Sequence, residues 1–314
     1  MAARVRYLLR MLTVTLLGTS AAVPSVDRNV SGLAIQREGE TLLFDCGEGT
    51  QRQMMRYGVS FAFREIFFTH YHADHFLGVT GLLRTLGLQD RTAPVTLYGP
   101  RGAAKILGAA ANLGIERNRF EVDIVEVAAG QTLSRGEYDL AVFETDHRAD
   151  TIGYALVEHT RLGRFNPERA LALGIPEGPL WGRIHKGETI ELPDGTRVEP
   201  AQLVGDPRPG RKVVYTGDTR PCATVVTAAA GADLLVHEAT FGEDERERAM
   251  ETGHSTAAQA AEVARQAGVR RLVLTHISPR YARDAPELLA EARAVFPESV
   301  VARDGLALDV PFAD

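Results

Sequence analysis

The 314-residue sequence is poor in cysteine, in long apolar runs and in excess positive charge. Its two cysteines, Cys46 and Cys222, cannot form a disulfide framework, which favours a reducing compartment such as the cytoplasm. No apolar run approaches the roughly 20 residues that a membrane-spanning helix needs, so we expect no membrane attachment. The formal net charge of −6 excludes a protein that is basic throughout. A nucleic-acid partner would therefore require a local binding patch.

The beginning of the chain superficially resembles a secretory signal. Three arginines precede a short apolar stretch, and small residues follow it. Because this stretch is short and contains two threonines, we interpret it as a strand that ends at Gly18. Met11 is an alternative start, which would make residues 1–10 an N-terminal extension.

Short β-type runs alternate with helical patterns along the chain, which predicts an α/β protein with sheets covered by helices. Thr256 and Gln259 have the spacing of a capping box at the start of one helix. The predicted strands are Thr13–Leu17, Gly32–Gln36, Thr41–Phe44, Glu65–Thr69, Val95–Tyr98, Val122–Val127, Tyr138–Glu144, Thr151–Glu158, Lys212–Thr216, Leu234–His237 and Arg271–Thr275. The predicted helices are Phe76–Leu86, Arg101–Leu113, Thr256–Ala267 and Pro286–Phe296.

Residues 160–211 interrupt this alternation because they contain seven prolines, many glycines and few β-branched runs. We interpret them as an inserted segment outside the core. Residues 159–212 contain nine Lys or Arg and seven Asp or Glu, a small positive excess in an acidic chain. A solvated loop without a binding function is the alternative interpretation.

The strongest chemical signal is a group of three histidines and one aspartate within six residues: His70, His72, Asp74 and His75. Imidazole and carboxylate groups are ligands of zinc and similar divalent ions. On an extended chain, alternate side chains share one face, so His70 and His72 can bind one ion. The turn that follows directs Asp74 and His75 toward a second ion.

Three further candidates each follow a predicted strand: His147, Asp218 and His276. Together they supply a third histidine for the first ion, a histidine for the second ion, and a carboxylate that can bridge both. The sequence therefore predicts a two-metal site.

In this order, the candidates resemble the metallo-β-lactamase superfamily, and within it the ribonuclease Z family of tRNA 3′-processing endonucleases. The resemblance spans about residues 12–308. The motifs that carry it are Leu17-Gly18-Thr19-Ser20, Arg28-Asn29-Val30, Phe44-Asp45-Cys46-Gly47-Glu48-Gly49-Thr50-Gln51, Gly178-Pro179, Gly217-Asp218-Thr219-Arg220-Pro221, His237-Glu238-Ala239-Thr240, Gly253-His254-Ser255-Thr256 and Thr275-His276-Ile277-Ser278-Pro279-Arg280-Tyr281.

The resemblance implies a four-layer αβ/βα sandwich, formed by a single domain of residues 1–314 with its metals at one edge. It implies that residues 160–211 form a flexible arm, an exosite for tRNA that includes Gly178 and Pro179. It further implies a cytoplasmic homodimer that acts on precursor tRNA. The activity implied is that of a zinc-dependent endoribonuclease that removes the 3′ trailer and leaves a 3′-hydroxyl on the tRNA.

The family's chemistry implies two Zn²⁺ ions per subunit, although Mn²⁺ or another divalent ion would fit the same ligands. A hydroxide held between the two ions would attack the phosphorus in line. Asp74 would also orient or deprotonate the water, and His254 would protonate the leaving oxygen with Glu238 orienting it. The ligands implied for one ion are His70, His72 and His147, and those for the other are Asp74, His75 and His276, with Asp218 as the bridge.

The resemblance also implies contacts with the RNA substrate, from Arg28, Asn29, Ser31 and Arg280. One residue departs from the family pattern: Val26 stands where a lysine is expected, which leaves the cleavage position and the handling of CCA-bearing tRNAs open. Asp45 is expected to support the metal site without binding a metal itself. Trp181 either stacks on RNA or anchors the arm.

Two other functions remain open at this point. The first is a hydrolase of small phosphodiesters, sulfate esters or carboxylic esters, because one fold serves many hydrolases. Such an enzyme would not need the inserted segment, and replacing the segment would leave its rate unchanged. The second is a non-catalytic RNA-binding protein, against which the complete set of seven ligands and His254 argues.

Overall fold

A computed structural model describes residues 11–115, 117–281 and 283–313 of the chain. The possible extension of residues 1–10 lies outside the described residues. The strands are β1 (Leu12–Gly18), β2 (Gly32–Arg37), β3 (Glu40–Phe44), β4 (Glu65–Phe67), β5 (Val95–Gly99), β6 (Val122–Glu126), β7 (Thr132–Ser134), β8 (Tyr138–Glu144), β9 (Ile152–Glu158), β10 (Ile190–Glu191), β11 (Arg197–Val198), β12 (Lys212–Tyr215), β13 (Leu234–Glu238), β14 (Leu272–Thr275), β15 (Ser299–Val301) and β16 (Ala307–Asp309). The helices are α1 (Thr50–Tyr57), α2 (Ala73–Phe76), α3 (Gly78–Leu88), α4 (Ala103–Ala111), α5 (Pro167–Ala172), α6 (Pro179–His185), α7 (Ala223–Ala229), α8 (Arg246–Thr252), α9 (Ala257–Ala267) and α10 (Pro286–Val295).

The strands form two large mixed sheets. The first has the order β16-β1-β2-β3-β4-β5-β6 and is antiparallel from β16 to β3 and parallel from β3 to β6. The second has the order β15-β14-β13-β12-β9-β8-β7 and is parallel from β12 to β15. Among the described helices, none is both long and apolar enough to cross a membrane.

The parallel strands of the second sheet consist mainly of valine and leucine, and every residue of β13 and β14 is buried. This composition is typical of strands that are covered on both faces. The helices α7, α9 and α10 pack on one face through a cluster rich in alanine and leucine. The predicted capping box at the start of α9 is confirmed, because Thr256 accepts a hydrogen bond from the amide of Gln259 and the Gln259 side chain bonds back.

Aromatic side chains connect the inner faces of the two sheets. The ring of Tyr154 on β9 lies 5.6 Å from that of Phe44 on β3 and 5.5 Å from that of Phe67 on β4. The ring of Tyr215 on β12 lies 6.3 Å from that of Phe44. The helices α1, α3 and α4 pack on the first sheet through a second apolar cluster. The two sheets therefore face each other with helices outside, which confirms the predicted four-layer sandwich.

The chain divides into two compact units, of which the second consists mainly of Glu158–Gly210. This second unit, the inserted unit below, contains α5, α6 and the antiparallel pair β10–β11. It has a small apolar core of its own, formed by Ala170, Ile175, Ile184, Ile190, Val198 and Leu203. The inserted unit and the predicted insertion of residues 160–211 cover nearly the same chain, and the role assigned to that segment stays a prediction.

The structure changes the charge assigned to this segment. Two of the nine basic residues counted there belong to the first unit: Arg211, which is buried, and Lys212, which begins β12. The remaining residues 160–210 contain seven basic and seven acidic side chains. Residues 160–210 are therefore formally neutral, and the small positive excess came from Arg211 and Lys212.

Candidate metal centre

The strand ends bring the predicted ligands together. Asp218 follows β12 by three residues and His276 directly follows β14. Because β12, β13 and β14 are parallel, their carboxyl ends lie at the same edge of the sheet. In the first sheet, β4 is followed by His70 and His72, which lead into the short helix α2. His276 adopts a left-handed backbone conformation (φ 55°), which turns the chain sharply after the strand.

His70, His72, His147 and Asp218 form the first cluster. The Nε2 atom of His70 lies 3.0 Å from Nδ1 of His72, and Nε2 of His147 lies 3.2 Å from the same atom. An Asp218 oxygen lies 3.7 Å from Nε2 of His70. His70 and Asp218 are buried, whereas His72 is exposed, so the cluster is open on one side.

Asp74, His75 and His276 form the second cluster. Nε2 of His276 lies 3.3 Å from Oδ2 of Asp74, and Nε2 of His75 lies 3.6 Å from the same oxygen. Asp218 also belongs here, because its two oxygens lie 3.4 Å from Nε2 of His75 and 3.3 Å from Nε2 of His276. The carboxylate of Asp218 thus lies between the two clusters.

These separations fit a divalent metal ion. Ligand atoms about 2.0–2.2 Å from a tetrahedral zinc lie about 3.3 Å from one another, close to the spacing in both clusters. Oδ1 of Asp218 is a buried oxygen without a hydrogen-bond donor among the described residues. A buried carboxylate oxygen without a partner is costly, and a cation between the clusters would satisfy it.

Three of the candidate ligands are held by a neighbour through their outer nitrogen, Nδ1. Nδ1 of His75 donates to Asp45 at 2.8 Å, and Nδ1 of His147 donates to the carbonyl of Gly253 at 2.6 Å. Nδ1 of His276 bonds the hydroxyl of Thr240 at 2.9 Å. These bonds fix the ring orientation and leave Nε2 for a metal.

Asp45 is itself held tightly on the side away from the metals. Its Oδ1 accepts the amide of Thr69 at 2.8 Å, and its Oδ2 accepts the hydroxyl of Tyr215 at 2.8 Å. The carboxylate is completely buried and serves His75 from the outside. This geometry supports the prediction that Asp45 acts on the site without binding a metal.

The electrostatics of the clusters favour bound cations. Burial lowers the pKa of His70 and of His147, which keeps these imidazoles in the neutral form that binds metals. Burial also lowers the pKa of His75, but the surrounding carboxylates, Asp218 first, outweigh burial and raise it well above its usual value. The carboxylates therefore draw positive charge to this position, whether as a proton or as a metal ion.

His254 and Glu238 form a buried pair beside the clusters. Nδ1 of His254 bonds Oε1 of Glu238 at 2.8 Å, and Glu238 is completely buried. Glu238 also accepts the amides of Thr219, Thr240 and Ser255 at 3.0–3.1 Å. Glu238 therefore positions His254 and does not itself reach the open side of the site. His254 also lies within metal-binding reach of Asp218 and His276.

The pair shifts the proton affinity of His254. Burial lowers the pKa of this side chain, but the charge and hydrogen bond of Glu238 outweigh burial and raise it to about 9. The Glu238 carboxylate thus favours the protonated form of His254. Because Glu238 occupies Nδ1, the proton on Nε2 is the one available to a substrate.

The predicted substrate residues of the loop between β1 and β2 are not equally accessible. Arg28 is only 4% exposed, and its guanidinium donates to Thr19 Oγ1 at 2.7 Å and to two backbone carbonyls at 2.6 Å. Ser31 is buried, with its hydroxyl 3.3 Å from Nε2 of His75. Asn29 is half-buried. A direct contact between Arg28 and a substrate is thus disfavoured, because its guanidinium is buried and both terminal nitrogens donate inside the protein.

The other predicted substrate residues lie in different settings. Arg280 forms an ion pair with Glu245, donates to Ser278 and lies 5.4 Å from the ring centre of Phe241. In the inserted unit, Gly178 and Pro179 are exposed at the start of α6. These contacts with RNA stay predictions.

Trp181, for which two roles were open, is partly buried in the inserted unit. Its indole donates to the carbonyl of Ile175 at 3.1 Å, and its ring lies 5.2 Å from that of Phe165. The geometry favours an anchoring role, because both the ring and the polar atom are engaged within the unit.

Two residues of this region carry no signal in the sequence. Asp304 lies 285 residues from Thr19 and accepts its hydroxyl at 2.8 Å, and Tyr215 lies 170 residues from Asp45. A lone aspartate in a turn and a tyrosine in a strand have many ordinary roles. Only the fold shows that they hold the loop and the metal support.

Comparisons with known proteins extend these observations. A sequence profile described as a β-lactamase superfamily domain matches residues 185–277, and one described as the anti-Pycsar protein Apyc1 matches residues 12–163. Curated relatives match over nearly the whole chain. The ribonuclease Z of Gemmatimonas aurantiaca is 58% identical over 305 residues, covering 96% of this chain and 97% of that protein. The ribonuclease Z of Myxococcus xanthus is 52% identical over 305 residues, with coverages of 97% and 99%.

A solved structure agrees with the sequence relatives. Human tRNase Z, short form, superposes with a TM-score of 0.69 at 28% identity, covering 96% of this chain and 100% of that chain. The similarity therefore includes most of the inserted unit as well as both large sheets.

Proposed function

The chain belongs to the ribonuclease Z family, and from this we propose that it is an endoribonuclease that removes the 3′ trailer of precursor tRNA. The product would be a tRNA with a 3′-hydroxyl. The observation that carries the proposal is one constellation: seven side chains that could bind metal ions lie in two adjoining clusters, with the hydrogen-bonded pair of His254 and Glu238 beside them. The fold alone would allow many hydrolyses, but this constellation occurs in a chain that is 58% identical to a ribonuclease Z.

The enzyme uses divalent metal ions, and we propose two Zn²⁺ per subunit, although Mn²⁺ would suit the carboxylates as well. Bound zinc supplies Lewis acidity and lowers the pKa of a coordinated water from about 15.7 to about 7. The proposed ligands of one ion are His70, His72 and His147, and those of the other are Asp74, His75 and His276, with Asp218 shared.

The protein's own groups perform the remaining tasks. Oδ2 of Asp74 accepts the amide of Ala22 at 2.8 Å, which leaves Oδ1 to orient the attacking water or accept its proton. His254 donates the Nε2 proton to the leaving 3′-oxygen, while Glu238 stabilises the imidazolium through Nδ1. The raised pKa of His254 supports this role, because a general acid must carry its proton before the reaction.

Precursor tRNA would be bound at two places. Near the cut, Asn29, Ser31 and Arg280 would contact the RNA, and Arg28 would act indirectly by holding its loop. In addition, the inserted unit would bind tRNA through the exposed Gly178–Pro179 segment. Because residues 160–210 are formally neutral, this second contact would rely on shape and stacking more than on charge.

The family resemblance supports two further parts of the proposal. We propose a homodimer in which the inserted unit of one subunit serves the active site of the other. We also propose that the enzyme works in the cytoplasm, where its two free cysteines would remain reduced.

The test compares two substrates with the same metal-loaded protein. A 3′-extended precursor tRNA is cleaved and its products are mapped at nucleotide resolution, and bis(p-nitrophenyl) phosphate serves as the small phosphodiester. A cut just after the discriminator base supports the proposal. An uncut precursor together with hydrolysis of the small diester would leave the metal site intact but reject tRNA as the substrate.

A further inference from the structure

The loop of residues 19–31 carries two of the RNA contacts proposed near the cut, Asn29 and Ser31, and its first part is fixed to the metal centre. The amide of Ala21 donates to the carbonyl of Ile277 at 3.0 Å, and the amide of Ile277 donates back to Thr19 at 2.8 Å. The next amide, that of Ala22, donates to Asp74. Because Ile277 directly follows the ligand His276, the position of Ala22 depends on the strand end that carries the metal ligand.

The second part of the loop is fixed by a different residue, Asp304. Its Oδ2 accepts the amide of Asn29 at 2.6 Å and the side-chain amide of Gln53 at 2.6 Å. Its Oδ1 accepts the hydroxyl of Thr19 at 2.8 Å. Two donors from the loop and one from α1 therefore converge on one carboxylate, and that carboxylate lies in the turn before β16.

Arg28 completes the arrangement through Thr19. The Thr19 hydroxyl accepts a hydrogen bond from Nη1 of Arg28 at 2.7 Å and donates one to Oδ1 of Asp304. The donor and the acceptor of both hydrogen bonds are fixed, because a guanidinium only donates and an ionised carboxylate only accepts. Both oxygens of Asp304 accept hydrogen bonds, so an N–H group in place of either oxygen would point at another donor and lose the bond.

The tip of the loop is hydrogen-bonded to Arg28, so its position depends on Arg28 and the adjacent Asn29. The amide of Ser25 donates to the carbonyl of Arg28 at 2.8 Å, and the amide of Arg28 donates to the Ser25 hydroxyl at 3.0 Å. Val26 at this tip is fully exposed. A shift at Asn29 therefore moves the tip, whereas Ala21 stays held by Ile277 and Ala22 by Asp74.

We propose that Asp304 is a positioning residue for RNA binding, which holds the tip of the 19–31 loop in the geometry that receives the acceptor end of the precursor. The inference rests on the proposed function. It places the effect of Asp304 on substrate binding and not on the metal clusters, because the contact between Ala22 and Asp74 does not pass through Asp304.

The principal variant is Asp304→Asn, which keeps the shape of the side chain and places an amide N–H against a donor. Losing one hydrogen bond of a charged group corresponds to about a tenfold effect, so KM for precursor tRNA should rise about tenfold. The kcat on the precursor, the rate on bis(p-nitrophenyl) phosphate and the metal content should stay unchanged.

Asp309→Asn is the matched control. Asp309 lies on β16, and it also accepts a threonine hydroxyl of β1, that of Thr13 at 2.7 Å. It is exposed and lies at the far end of the same strand pair. This variant should leave both substrates unaffected.

Thr19→Val and Thr19→Ser provide a second route in case Asp304→Asn does not fold. The valine removes the hydroxyl at nearly constant volume and should raise KM for the precursor, whereas the serine keeps the hydroxyl and should restore it. An unchanged KM in Asp304→Asn or Thr19→Val, or an equal loss on both substrates, would overturn the inference while the wild type still cuts the precursor. A wild type that cuts only the small diester would overturn the proposed function and the inference with it.

Discussion

The metal clusters and the inserted unit differ in how closely their proposed functions depend on particular residues. The clusters collect histidine and aspartate at the carboxyl ends of parallel strands, and most of these side chains are buried with fixed partners. Residues 160–210 of the inserted unit contain seven acidic and seven basic side chains, and most of these residues are exposed. Metal binding demands particular atoms at particular distances, whereas binding a folded RNA can be shared among many exchangeable contacts. The first region can therefore be assigned residue by residue, and the second only as a surface.

The largest effect should come from a ligand that both clusters share. Asp218→Asn removes one negative charge and one ligand oxygen between the clusters, so activity on precursor tRNA and on bis(p-nitrophenyl) phosphate should both fall to background. Bound zinc, measured by elemental analysis after gel filtration, should fall as well. Asp123→Asn, at an exposed aspartate of β6, is the control and should change nothing. Residual activity on both substrates would contradict the bridging role.

His254→Gln tests the proton donor without removing a ligand. Loss of a general acid typically costs about 10²–10⁴-fold in kcat. KM and the metal content should stay near their wild-type values. A substrate with a good leaving group, such as bis(p-nitrophenyl) phosphate, needs less protonation and should be affected less than the precursor. Equal losses on both substrates, or a loss of metal, would indicate that His254 acts as a ligand.

Replacing residues 160–210 by a short linker tests the other side of the comparison. If the inserted unit binds tRNA, KM for the precursor should rise about 10–100-fold, the value of roughly one stacked base. The rate on the small diester should stay unchanged, because all seven proposed ligands lie in the first unit. Full activity on the precursor would show that the inserted unit has no part in binding.

The sequence predicts much of the fold and of the metal centre, because apolar strands and metal ligands have few interchangeable alternatives. It does not predict the helices α1 and α8, because these helices bury few apolar side chains. In α8 the only buried residue is Ala249, and in α1 two of the three buried residues are the polar Thr50 and Gln53. Each helix therefore buries a single apolar residue, Met54 in α1 and Ala249 in α8, which is too few to form a recurring apolar pattern.

The residues that orient the ligands cannot be predicted from the sequence, in contrast to the ligands themselves. The ligands His70 and His72 are neighbours in the chain, but the groups that orient the clusters come from distant strands. Tyr215 and Asp304 have no pattern around them that indicates their partners. Arg28 shows the opposite case: its motif predicts a substrate contact, and only the fold shows that its guanidinium is buried and bonded to Thr19.

Tyr215→Phe tests whether such support matters to the metals. It removes only the hydroxyl that donates to Asp45, the carboxylate that holds His75. Changes in partners of metal ligands typically cost about 10–100-fold in metal affinity, and we expect the lower end because Thr69 still donates to Asp45. Competition with a chelator measures the affinity. Tyr98→Phe, which removes a hydroxyl that donates to Glu65, is the control and should not change it.

The smallest effect should come from the one position that departs from the family motif. Val26 is fully exposed at the tip of the 19–31 loop, so Val26→Lys should change the free energy of unfolding by less than about 0.5 kcal/mol. The new cation adds one phosphate contact, which should lower KM for the precursor severalfold and steepen its dependence on salt. The slope of log KM against log salt should increase by about 0.7, the value for one phosphate of a single strand. The kcat and the rate on the small diester should not change, because the tip is separate from the contact between Ala22 and Asp74. If the lysine instead leaves KM and the salt slope unchanged, the tip does not lie near the RNA backbone, and the loop contributes through Asn29 and Ser31 alone.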